Sequence, residues 1–255
     1  MPRIKPIEHE ERLALVDHLD ELRSRLILCA IAFGLAFSLT AWQNHRVLEI
    51  VNRPLPDNLP EPITFGVTEP FTTTLTNAAY FGILLSLPFL LYHLYAFILP
   101  AFSPKERRVA TPLLLMVPVL FIAGVVFCYF VVLPPATDFL LAFNDSEFNT
   151  QVRAKDYYSF VMLTMVAMGL GFQVPVAILA ACKLGVTSPE KLRKNRRYAV
   201  LVIAVVAAFL PTIDPVTLIL EMVPLLILYE FSIVLAAWVQ RKAEERAEAA
   251  EPEGA

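Results

Sequence analysis

Long apolar runs separated by short polar segments set the rhythm of this chain. Four of them, residues 26–42, 75–99, 110–133 and 157–182, approach or exceed the about 20 residues that a helix needs to cross a hydrocarbon core. A helix is the natural spanning form, because it satisfies its own backbone hydrogen bonds where water is absent. The last apolar block, 199–239, is interrupted by "PTIDP" at 211–215. Two prolines around Asp214 oppose a continuous helix and predict a fifth span at 199–210 and a sixth at 216–239. The expected fold is an all-α polytopic membrane protein: six transmembrane helices, with N- and C-termini cytoplasmic and short fifth and sixth spans. Residues 1–240 form its single transmembrane domain.

The intervening segments leave no room for a soluble domain. The first external loop, 43–74, carries Pro54, Pro56, Pro60, Pro62 and Pro70, which favour a stiff, extended course, with one or two helical turns at "RVLEIV". The second, 134–156, opens with Pro134-Pro135, and Asp156 is a candidate N-cap for the fourth span. The tail, 241–255, is charged and low in complexity, the composition of a disordered or frayed segment.

Composition agrees with the pattern: 57% of the 255 residues are hydrophobic and 18% charged, with a mean hydropathy of +0.60. Soluble domains have about 25% charged residues. The first 25 residues are too charged for a cleavable signal, so the first span is expected to act as the targeting signal. Cys29, Cys128 and Cys182 all lie in apolar runs without metal-ligand spacing. With six spans, 17 of the 21 basic residues fall on the side of the termini and 4 on the other. That bias assigns both termini to the cytoplasm.

Two acids break the basic pattern at this cytoplasmic edge. Glu21, in "HLDELRSRL", precedes Arg25 by four residues, the favourable order for an intrahelical pair of about 0.2–0.5 kcal/mol. Glu106 sits between Lys105 and Arg107 in the short loop before the third span. Anionic lipid favours bare Lys and Arg here. Paired carboxylates instead suit a cationic ligand that arrives with an apolar segment attached.

The segments "HLDELRSRL", "FILPAFSPKERR", "YFVVLPPATDFL", "YYSFVM", "GFQVPVAILA", "GVTSPEKLRKNRRYAV" and "PLLILYE" follow one another along the chain. Together they resemble the motif set of the TatC family, the multispanning receptor subunit of the twin-arginine protein translocase. The resemblance implies a subunit of a bacterial or archaeal cytoplasmic membrane, working in a likewise implied homo-oligomer. It further implies binding of twin-arginine signal peptides and assembly with single-span TatA- and TatB-like subunits. Folded proteins would cross the membrane at the expense of the proton-motive force, with no cofactor, metal or nucleic acid involved. Glu21 and Glu106 match the family's recognition glutamates, and Arg23, Lys105 and Arg108 fall in the same motifs, where they orient those acids. Phe97 would lie beside the signal's apolar stretch. Carboxylates suit this task chemically, because a forked guanidinium makes two parallel hydrogen bonds that an ammonium does not.

Charged groups inside a bilayer cost about 2.5–3.5 kcal/mol on insertion scales, so each is a site candidate. Glu221 and Glu230 are nine residues apart in the sixth span, on opposite helix faces. The resemblance extends to Glu230 in "LYE", but not to Glu221. The family commonly has a glutamine early in this span where Leu218 stands, so either the polar contact for a partner helix has moved to Glu221 or Glu221 is hydrated near the external surface. Gln173 stands where the family often has Glu; an amide hydrogen-bonds but does not titrate, leaving a partner or substrate contact in a hydrated concavity. Asp214 is either a turn or cap residue or the family's external acid. Partner subunits are expected against the fifth span, around Ala208 and Phe209, and against the sixth. Pro54 and Pro88 shape a loop and bend a helix, and the histidines read as structural. With no nucleophile–base pair or phosphate loop in the sequence, an enzyme is not expected. The competing readings are a small-solute secondary transporter, for which the few intramembrane acids are poor material, and a membrane insertase or scaffold.

Overall fold

The computed structural model describes residues 9–56, 61–98, 104–143, 146–147, 150–208 and 214–248, without the side chains of 9–17, 98, 104–114 and 242–248. The described chain is helical almost throughout. In order come α1 (His9–Trp42), α2 (Asn44–Asn52), α3 (Glu69–Ile98) and α4 (Pro104–Phe127). A π-helical turn (Cys128–Val132) then leads into α5 (Leu133–Ala142). The rest are α6 (Ala154–Gly171), α7 (Val174–Lys183), α8 (Pro189–Lys194), α9 (Arg196–Ala208) and α10 (Pro215–Glu248). Among the described residues five stretches are long and apolar enough to cross a membrane: 18–42, 69–97, 115–142, 154–183 and 215–241. The 13-residue α9 is shorter, about 20 Å at 1.5 Å per residue.

Three boundaries differ from expectation. The third span does not end before Pro134-Pro135 but continues to Ala142. These prolines sit at the start of α5, where they offer no N–H to the preceding turn. That turn widens to the π spacing, and the Leu133 N–H bonds the Cys128 carbonyl. The sixth span is not short, because Pro215 falls in the first turn of α10 and the helix runs unbroken past the internal Pro224. Asp156 is not the N-cap of α6: Arg153 takes that place in extended conformation, held by a bridge to Ile63. Asp156 lies in the first turn instead, where its charge complements the helix dipole. The fourth span also breaks between α6 and α7, at Phe172 and Gln173 just ahead of Pro175.

α1 packs along α3, and from Leu26 onward much of its other surface is apolar and exposed, including Leu26, Ile31, Leu35 and Leu39. Such a face suits lipid. The two helices meet at Gly82, where an added Cβ would lie 3.0 Å from the Phe37 Cα, and the Thr40 hydroxyl donates across to the Ala78 carbonyl at 2.8 Å. The core lies between α4, the π turn, α6 and α10, around Phe121, Leu133, Met162 and Ile233.

The segment between α1 and α3 is anchored by hydroxyls from distant helices. The C-terminal end of α2 and the turn after it present carbonyls without the usual i+4 helical donors, Ile50 O taking only a 3.4 Å bond from the Arg53 N–H. Tyr129 donates to Ile50 O at 2.7 Å, Tyr157 to Val51 O at 2.9 Å and Thr137 to Pro54 O at 2.7 Å. Nearby, Glu69 accepts from the Phe65 and Gly66 N–H groups with one oxygen and from Arg153 Nε, at 2.7 Å, with the other. That bond holds the Arg153 guanidinium above its usual pKa range. The Tyr157→Phe variant strands a buried carbonyl and loses about 1 kcal/mol of stability in detergent, read as a lower midpoint of thermal unfolding.

Candidate functional site

Glu21 lies in the N-terminal half of α1 and is about one-third exposed. One carboxylate oxygen, Oε1, accepts from Arg25 Nε at 3.0 Å and Nη2 at 2.5 Å. The other, Oε2, lies 3.9 Å from His18 Nδ1. Arg25 reaches on to α3, with Nη1 3.5 Å from His93 Nδ1. The His18 ring stacks on Phe97 at 4.3 Å, and His93 lies 4.3 Å from Phe89. The carboxylate is therefore held where α1 meets the end of α3, with Oε1 taken by Arg25. Leu19, Leu22 and Leu26 are exposed on the same stretch of α1. A cation with an apolar tail meets both of its requirements at this edge.

Phe97 belongs to this cluster through its stack on His18. Arg23 does not orient Glu21: it is exposed, two residues and about 200° around the helix, and Arg25 does the work. His18 and His93 were read as structural, yet both sit within the site. The sequence signal was present for His18, three residues before Glu21 and so on the same helical face. None existed for His93, which joins only through tertiary packing. Lys105, Glu106 and Arg108 lie in the first turns of α4, and their side chains fall outside the described residues.

The remaining polar candidates do not gather in one place. Gln173 is buried, not set in an open concavity; its amide donates to Val117 O of α4 at 3.2 Å. Glu221 is fully buried, not hydrated at a surface. Glu230, on the opposite face, pairs with Arg196 of α9 at 2.7 Å. Asp214 caps α10, accepting from the Thr217 N–H at 2.7 Å. Ala208 is exposed at the end of α9, whereas Phe209 lies outside the described residues. Pro88 lies inside α3. Among the described residues no group of three or more His, Cys, Asp or Glu is arranged to hold a metal.

This architecture defines a multi-pass helical membrane protein with its most elaborate exposed polar cluster at a span end. The family profile described as "Sec-independent protein translocase protein (TatC)" matches residues 17–224. The chain belongs to the TatC family, and is a protein-transport component rather than an enzyme. It is 36% identical to the Sec-independent protein translocase protein TatC of Escherichia coli (strain K12), over 94% of each chain. The Aquifex aeolicus (strain VF5) protein of the same name is 35% identical over 91% of this chain and 98% of its own. A crystal structure of the twin arginine translocase receptor TatC superposes with a TM-score of 0.74 at 36% identity, covering 88% of this chain and 99% of the other.

Proposed function

We propose that the chain is the receptor subunit of a twin-arginine translocase in the cytoplasmic membrane, with six spans and both termini in the cytoplasm. Its ligands are signal peptides bearing two consecutive arginines, and its partners are single-span TatA- and TatB-like subunits. The one-third exposed Glu21 carboxylate, fixed through Oε1 by Arg25 on a stretch of α1 that also exposes Leu22 and Leu26, carries this reading. An incoming guanidinium meets a preset acceptor, and the apolar part of the signal continues along the exposed leucines. Glu106, next along the same edge, supplies the second carboxylate. Lys105 and Arg108 border it. Ala208, Phe209 and the lipid-facing side of α10 offer the surface for the single-span partners.

Binding of synthetic signal peptides to the full chain in nanodiscs tests the reading. The Arg-Arg peptide binds about tenfold or more tightly than its Lys-Lys counterpart, since an ammonium forms one charge-assisted bond where a guanidinium forms two. Equal binding of the two peptides removes the carboxylate receptor from consideration.

A further inference from the structure

The N-terminal half of α10 holds a second polar feature, remote from the receptor edge. Asp214, Thr217 and Glu221 follow the i, i+3, i+7 spacing that aligns side chains on one helix face. Thr217 and Glu221 are both fully buried. Among the described residues the Thr217 hydroxyl, both Glu221 oxygens and Asp214 Oδ2 are buried without a hydrogen-bond partner. Asp214 Oδ1 is occupied by the helix cap, leaving Oδ2 as the outer end of the row.

The inner end of the row faces the widened turn of the third span. α10 packs against the π turn, and Cys128 of that turn lies within electrostatic reach of Glu221. The π spacing and the two following prolines leave carbonyls of this turn short of N–H donors. A carboxylic acid carrying its proton supplies such a donor; an ionised carboxylate does not.

The surrounding charges decide which form is present. Among the described residues, Asp214 and Cys128 are the titratable groups that act electrostatically on Glu221. Asp138 of α5 is exposed. The cations of α8 and α9 lie toward the far end of α10, where Arg196 pairs with Glu230 and the Tyr229 hydroxyl bonds Leu192 O of α8. Lys183 closes α7 beyond the point where Gly171 meets Leu225. A buried carboxylate with neither cation nor hydrogen bond costs several kcal/mol, and such a group neutralises itself by taking up a proton.

We propose that Glu221 is a proton-binding site inside the membrane domain, loaded from the Asp214 end of α10 through the Thr217 hydroxyl. The ligand is a proton, delivered with water, and its bound form is the neutral acid set against the π turn. On loading, a proton passes from Asp214 to Glu221 by way of intervening water and the Thr217 hydroxyl, which accepts one proton as it releases another; on unloading the direction reverses. The site stands on the α10 geometry alone and does not depend on the receptor reading.

Infrared spectroscopy of the full chain in nanodiscs tests this directly. At neutral pH the wild type shows a protonated carboxylic C=O band that is absent from Glu221→Gln, an isosteric variant. The band shifts on transfer to deuterated buffer. In Thr217→Val the shift develops about tenfold more slowly, the consequence of a relay barrier raised by about 1.4 kcal/mol, and Asp214→Asn slows it similarly. A wild-type spectrum identical to that of Glu221→Gln overturns the site. An unaltered exchange rate in both Thr217→Val and Asp214→Asn overturns the path. Those two variants retain Glu221, so they decide the matter even if Glu221→Gln does not fold.

Discussion

Replacing Glu21 by Ala weakens binding of an Arg-Arg signal peptide by about 1.5–3 kcal/mol, roughly ten- to hundred-fold in Kd, the scale of hydrogen bonds to a charged group. The loss follows from the two oxygens having different neighbours. Oε1 is already engaged by Arg25, so Oε2 meets the ligand first. The Arg25 pair is intrahelical and partly exposed, and pairs of this kind contribute only about 0.3–0.5 kcal/mol. An incoming arginine displaces it at little cost. The Arg25→Gln variant therefore binds the peptide as well as the wild type or about twofold better. This comparison separates two roles for the same acid. If Glu21 only braced α1, losing either partner of the pair would have the same effect on peptide binding, and Arg25→Gln would weaken it as much as Glu21→Ala. Calorimetric titration of both variants in nanodiscs decides between them.

The largest stability effect is expected at Gly169. A Cβ there would lie 2.6 Å from Cε2 of Phe121, a buried ring on α4. Gly124 faces it from α4, with its own added Cβ only 2.9 Å from the Gly169 Cα. Small residues on facing membrane helices let the backbones approach closely, and this contact is what joins α4 to α6. One methyl group at Gly169 forces the pair apart and lowers stability by about 1–3 kcal/mol, the usual range for overpacking a tight core. Thermal unfolding of Gly169→Ala in detergent measures this. Gly34→Ala is the matched control: it adds the same methyl to a helix with nothing within 4 Å, and is neutral or slightly stabilising. The double variant Gly124→Ala/Gly169→Ala is less than additive, because either methyl alone already separates the helices. A Gly169→Ala protein as stable as the Gly34→Ala protein contradicts the close-contact account.

Hydropathy, charge order and helical period are local properties, and they determined much of this protein without any coordinates. The membrane class, the apolar spans, the excess of basic charge beside the termini and the acid at position 21 were all legible in order along the chain. So was the opposition of Glu221 and Glu230, since nine residues on a helix come to half a turn whatever surrounds them. Tertiary structure alone decided what each of those acids meets. Glu230 finds Arg196 and Glu221 finds no hydrogen-bond partner among the described residues, because α9 covers one face of α10 and the π turn the other. His93 enters the receptor edge only because α3 returns alongside α1, placing it 68 positions from Arg25 in sequence and 3.5 Å away in space. Pro134-Pro135 reads locally as a stop; the helix passes through it because a wider turn and buried neighbours compensate for the missing donors. Local sequence determines which segments enter the bilayer, and packing between distant segments determines which polar groups are left there without a partner.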